Sequence, residues 1–95
     1  MKNITAATLA DQLANHPTII DVREDFEFAT GHVPGAKNIP LSELAERYPE
    51  VPDGAYIICQ TGGRSAGAAE FLQAHGTAVI NVAGGTSAWP KPLEV

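Results

Sequence analysis

Short β-branched, apolar runs alternate with amphipathic stretches along this chain, and that alternation admits few folds. Thr18-Ile19-Ile20-Asp21-Val22, Ala55-Tyr56-Ile57-Ile58 and the stretch from Ala78 to Val82 read as buried strands, with Lys37-Asn38-Ile39 as a shorter one. Helical signals lie between them. Thr5 can N-cap a helix that turns Leu9, Leu13 and Ala14 inward, and Glu24 to Thr30 reads as a short helix closed by Gly31. Ser42 to Tyr48 is helical, and Ser65 to His75 carries Ala68, Phe71 and Leu72 on one face before Gly76 closes it. Prolines and glycines at Pro34-Gly35, Pro40, Pro49, Pro52-Asp53-Gly54 and Gly84-Gly85 mark the turns. The order predicts an α/β fold: a parallel sheet with helices on both faces. Pro90 and Pro92 stop any helix that begins near Trp89.

Composition narrows the function. Ninety-five residues are read as one domain over 1–95, because no second core fits. A net charge of −5 without a basic cluster argues against a nucleic-acid surface. No apolar run approaches membrane-spanning length, and Met1-Lys2-Asn3-Ile4-Thr5 has no signal-peptide core. A single cysteine cannot form an internal disulfide, so the expected compartment is the reducing cytoplasm. Cys59, His16, His32 and His75 are too scattered for a structural zinc site, and no metal or cofactor is expected.

That one cysteine, Cys59, follows the apolar run Ala55–Ile58 and opens Cys59-Gln60-Thr61-Gly62-Gly63-Arg64-Ser65, with a helix directly behind. A lone cysteine at a strand end is often a small buried hydrophobe. The residues after it serve another purpose. Gly62 and Gly63 let successive N–H groups turn toward one point, Arg64 adds a permanent cation at the first helical turn, and Ser65 adds a hydroxyl. An anion cradle uses all of these, whereas a plain strand-to-helix turn needs none. Moving a thiol from a pKa of about 8.5 to about 6.5 requires ~2.7 kcal/mol. A helix N-terminus supplies ~0.3–2 kcal/mol and each hydrogen bond to a charged acceptor about 1.5–3 kcal/mol. The loop can therefore activate Cys59 as a nucleophile without a histidine base.

At this point the chain resembles the rhodanese family of single-domain sulfurtransferases. Asp21-Val22-Arg23 is similar to the signature at the end of the family's second strand, and the stretch from Glu27 through Gly31-His32-Val33-Pro34-Gly35-Ala36 to Pro40 is similar to its long N-terminal signature. Cys59 to Ser65 matches the active loop, and Asn81-Val82-Ala83-Gly84-Gly85-Thr86-Ser87-Ala88-Trp89 resembles the C-terminal signature. The four segments come in the family's order and span nearly the whole chain. The resemblance implies a three-layer fold, a central five-stranded parallel sheet flanked by helices, with Cys59 at the carboxyl edge. It implies that Cys59 takes a sulfane sulfur from a small anionic donor, thiosulfate or a persulfide. Cys59 then passes it to cyanide or to a thiol acceptor, small molecule or protein. Cys59 and Arg64 would be the catalytic residues, with Gln60, Thr61, Gly62, Gly63 and Ser65 forming the substrate-binding loop and Arg64 supporting that loop or attracting the donor.

Cys59 through Arg64 is six residues, the length associated in this fold with sulfur transfer. The related phosphatases and arsenate reductases carry one residue more, so they stand as the alternative enzyme, and a sulfur-carrier module as the alternative outside catalysis. Asp21 and Arg23 lie at a strand end near the expected site, as an ion pair that buttresses the loop or with Arg23 drawing the donor; the buttress is the favoured reading. His32 is read as a packing or hydrogen-bonding residue, Trp89 as core or edge packing, and Glu43 to Glu50 around Arg47 as a solvated face.

Overall fold

The computed structural model describes all residues, Met1 to Val95. Its strands are β1 (Lys2–Thr5), β2 (Ile19–Asp21), β3 (Lys37–Asn38), β4 (Ala55–Ile58) and β5 (Val79–Ala83). They form one parallel sheet in the order β1-β5-β4-β2-β3. The helices are α1 (Ala6–Asp11), α2 (Asp25–Ala29), α3 (Leu44–Arg47) and α4 (Gly63–Ala74). Parallel pairing requires a crossover between successive strands, and the helices supply the cover that a sheet buried on both faces needs.

The alternation of side chains along each strand builds two cores. Ile20, Ile57 and Val79 point to the face where Leu44, Ala68, Ala69 and Leu72 pack, and Cys59 belongs to that cluster. Ile19, Ile58 and Val82 point to the other face, against Ala6, Leu9, Ala10, Val33 and Trp89. Each of the larger buried side chains contributes about 1.5–3 kcal/mol by leaving water. The alanines on α4 let its backbone approach the sheet closely, which brings the start of the helix over the end of β4.

The strand and helix pattern read from the sequence is largely present, with four differences. β1 gave no signal, because only Ile4 of its four residues is even half-buried; as an edge strand it is held by backbone pairing to β5, Lys2 opposite Ile80 and Thr5 opposite Ala83. Thr5 does cap α1, its hydroxyl accepting from Thr8 N at 3.1 Å, but the helix ends at Asp11 and tightens into a 3-10 turn at Leu13–Asn15. The change of pitch leaves Ala14 exposed instead of inward. The helix expected over Ser42–Tyr48 is three short pieces, Leu41–Glu43, α3 and Tyr48–Glu50, and only α3 is α-helical. α4 starts two residues before Ser65, inside the glycine pair. As Pro90 required, the last segment is only a 3-10 turn, Gly85–Ala88. The tail after it returns to the first half of the chain, where His32 N donates to Glu94 O at 2.8 Å and Glu94 N to His32 O at 2.8 Å. No helix is long and apolar enough to cross a membrane.

Candidate active site

Because all strands run one way, their carboxyl ends share one edge, the usual place for a site in an open α/β sheet. Cys59 is the first residue beyond β4 at that edge. Its sulfur accepts from Gly62 N at 3.1 Å and from Ser65 N at 3.3 Å. Gly62 is the N-cap position of α4 and has no side chain with which to cap. The cysteine sulfur takes over that task, satisfying N–H groups that the first helical turn leaves unpaired. Burial pushes the thiol up; the hydrogen bond it shares with the Ser65 hydroxyl and those from the N–H groups of Ser65, Gly62 and Thr61 outweigh it, and the net shift is downward. The arrangement holds an anion on the sulfur, or on an atom attached to it.

Two glycines make this geometry possible. Gly62 has φ +105°, a left-handed value that side chains disfavour, and a Cβ there would lie 3.2 Å from Gly84 N. Gly85 has φ +58°, and a Cβ there would fall 2.3 Å from the Cys59 carbonyl oxygen. The 3-10 turn that begins at Gly85 is therefore pressed against the loop. Thr86 N donates to Cys59 O at 2.9 Å, Ser87 N to Gln60 O at 3.0 Å, and Thr86 Oγ1 to Gln60 Oε1 at 3.2 Å. The carbonyls of Cys59 and Gln60 are tied down from below while the N–H groups of the loop face the sulfur.

Arg64 does not hydrogen-bond to Cys59. Its guanidinium meets Glu27 of α2 in a two-pronged pair, Nη1 to Oε1 at 2.7 Å and Nη2 to Oε2 at 2.9 Å. Glu27 Oε1 also accepts from Glu24 N at 3.0 Å, so one carboxylate holds both the start of α2 and the start of α4. Arg64 holds the Glu27 carboxyl down at about 2. The ion pair expected at Asp21 and Arg23 exists, Nη2 to Oδ2 at 2.9 Å, and both groups are buried. It does not reach the loop. Arg23 instead donates to Gly31 O at 2.7 Å, and Asn38 Nδ2 binds the carbonyls of Asp21 and Arg23 at 3.0 and 2.8 Å. Buried this way, Arg23 cannot meet a donor from solvent; the pair ties the end of β2 to Gly31, just beyond α2, and Asn38 ties it to β3. His32 stacks on Phe28 with ring centroids 3.8 Å apart, and its Nδ1 lies 3.1 Å from Phe28 O, a packing role as read. No three His, Cys, Asp or Glu side chains converge as a metal site would need.

The structure adds Glu27, Asn81, Gly85 and Thr86 to the residues around the loop. Two left a trace in the local pattern, Asn81 as a polar residue in the middle of an apolar strand run and Gly85 as half of a turn pair; Glu27 and Thr86 lie in the signature segments, but nothing local tied them to the loop.

Fold and loop together define a class: a parallel α/β domain that presents one cysteine at its carboxyl edge, in a glycine turn whose N–H groups converge on the sulfur. The chain belongs to the rhodanese-like domain family, whose family model matches residues 5–91. It is 45% identical over 74 residues to the protein YqhL of Bacillus subtilis; the match covers 75% of this chain and only 59% of that protein. It is 38% identical over 78 residues to the thiosulfate sulfurtransferase PspE of Escherichia coli, covering 76% of this chain and 75% of PspE. A rhodanese-like domain protein of Staphylococcus aureus superposes with a TM-score of 0.93 at 38% identity, over 100% of this chain and 98% of that one.

Proposed function

We propose that this protein is a sulfurtransferase that works through a persulfide on Cys59. The observation that carries the reading is the convergence of Gly62 N and Ser65 N on the Cys59 sulfur at 3.1 and 3.3 Å. In the first step the Cys59 thiolate attacks the sulfane sulfur of thiosulfate or of a persulfide donor. The donor's S–S bond breaks, sulfite or a thiolate leaves with the electron pair, and Cys59 carries one extra sulfur with the negative charge at its end. The loop N–H groups hold that charge. In the second step an acceptor, cyanide or a thiolate on a small molecule or protein, attacks the outer sulfur, and Cys59 leaves as thiolate, ready for another turn. Gln60, Thr61, Gly62, Gly63 and Ser65 form the binding loop, and Arg64 sets the loop against α2 through Glu27. The relative named for thiosulfate sulfur transfer supports this chemistry. A reducing cytoplasm suits a thiol that must be free between turnovers.

Phosphate chemistry on the same scaffold is disfavoured by loop length: six residues from Cys59 to Arg64 enclose a single sulfur more closely than a tetrahedral oxyanion. The test is mass spectrometry. Incubation with thiosulfate should add one sulfur to the protein, cyanide should remove it, and Cys59→Ser should abolish the adduct. An unmodified wild type that hydrolyses an aryl phosphate in a Cys59-dependent way overturns the reading.

A further inference from the structure

Two positions where the packing pattern calls for an apolar side chain carry polar ones, and they touch. Ser65 lies on the buried face of α4 with Ala68, Ala69 and Leu72, and it is fully buried. Asn81 lies on the same face of β5 as Val79, two residues on, and is 5% exposed. Ser65 Oγ donates to Asn81 Oδ1 at 2.6 Å, and Asn81 Nδ2 donates to Asn3 Oδ1 of β1 at 3.0 Å. On its other side Ser65 Oγ is 3.4 Å from the Cys59 sulfur, with the thiol as donor. Gly62 O is a further acceptor at 3.2 Å. Burying polar groups here costs stability that alanine or leucine would not cost, so their presence beside the one cysteine asks for a reason.

The reason lies in proton counting. A serine hydroxyl has one proton. While that proton is on Asn81 Oδ1, Ser65 can only accept from the Cys59 thiol, which favours the protonated sulfur. To support a thiolate, the hydroxyl must turn its proton to the sulfur and leave Asn81 Oδ1 unpaired in a buried site. We propose that Asn81 is a positioning residue which, by competing for the single Ser65 proton, tempers how strongly Cys59 is held as an anion. The proposal rests on the sulfur-transfer reading for its use. Cys59 is the nucleophile in the first step and the leaving group in the second, and a less basic thiolate attacks more slowly but departs faster. An intermediate setting serves both steps.

The charged groups around Cys59 leave this competition as the adjustable element. α4 brings Arg64, already paired to Glu27 of α2; the end of β2 brings Asp21 and Arg23, paired to each other. β5 and the turn Gly85–Ala88 carry no titratable side chain.

The experiment is the pH dependence of Cys59 alkylation by iodoacetamide, which requires no sulfur transfer. Asn81→Leu removes the nearer competing acceptor and leaves only Gly62 O at 3.2 Å, and the midpoint should fall by about one pH unit, a tenfold change in ionisation. Asn81→Asp strengthens the acceptor and adds a like charge, and the midpoint should rise. Mere disruption of the site would move both variants the same way. In a Ser65→Ala background, Asn81→Leu should have no further effect. At a pH above all midpoints, Asn81→Leu should load sulfur from thiosulfate roughly threefold more slowly and release it to a thiol roughly threefold faster. An unchanged or raised midpoint in folded Asn81→Leu, a lowered one in Asn81→Asp, or the same Asn81→Leu shift without the Ser65 hydroxyl overturns the proposal. Failure of the sulfur-transfer reading would show differently: the midpoints would move as stated, with no sulfur adduct in any variant.

Discussion

Two carboxylate–guanidinium pairs stand near the carboxyl edge of this sheet, and they differ in everything but chemistry. Asp21 and Arg23 are 0% and 3% exposed at their side chains; Glu27 and Arg64 are 25% and 39% exposed. The first pair is two residues apart on one strand end and is completed by backbone groups, Arg23 N donating to Asp21 Oδ1 at 2.9 Å and Arg23 Nη2 to Gly31 O. The second joins residues 37 positions apart, on different helices, at the rim of the loop. A buried pair of this kind is a poor source of net stability but a severe liability if one partner is lost. A half-exposed pair is weak, screened by salt and able to open. The sealed pair therefore belongs to the scaffold, and the open one to the site it borders.

The largest break in the comparison should come from the sealed pair. Asp21→Ala leaves the Arg23 guanidinium buried and without its carboxylate, which should cost about 3–5 kcal/mol, read from urea unfolding. A loss below about 1 kcal/mol would mean that Arg23 escapes to water, and the contrast between the pairs would collapse.

Glu27→Gln should behave differently. The cost in stability should stay within ~0.2–1 kcal/mol, because the pair is solvent-screened and glutamine can still accept from Glu24 N. The gain should appear in donor capture. With Glu27 neutral, Arg64 is free to face an anion, and KM for thiosulfate should fall about 1.4- to fivefold, the factor corresponding to that pair energy. An unchanged KM would assign Arg64 to loop support alone.

The same pair has an acid signature. The Arg64 hydrogen bond lowers the Glu27 carboxyl from 4.5 to about 2. A depressed carboxylate contributes stability that is complete above its unfolded value and disappears as pH falls toward the folded one. Wild-type stability should thus fall more steeply than that of Glu27→Gln between pH 4.5 and about 2, measured by urea unfolding across that range. Parallel curves would show that the pair does not form in solution.

Salt gives the smallest effect. Raising ionic strength from about 0.1 to about 1 M shortens the screening length from ~10 to ~3 Å. The KM difference between wild type and Glu27→Gln should shrink as Arg64 is screened, while the cost of Asp21→Ala should persist. Equal salt sensitivity in both would show that burial does not separate them.

By itself the sequence determined the layout: buried strands at 18–22, 55–58 and 78–82, a helix behind a glycine turn, and a lone cysteine between strand and helix. Those are local facts, written in runs of β-branched residues, in helical spacing and in a few glycines, and they sufficed for the parallel sheet and for the family resemblance. β1 was invisible because an edge strand with one half-buried side chain has no hydrophobic period to read. The supports of the loop belonged to the tertiary structure alone. Sheet order places β5 beside β4, and that adjacency brings Asn81 under Ser65 and presses Gly85 against the Cys59 carbonyl. The position of α2 brings Glu27 to Arg64 and leaves Asp21 and Arg23 to each other. Hydrogen bonds between residues far apart in the chain depend on which elements become neighbours, and no local period or propensity records that choice.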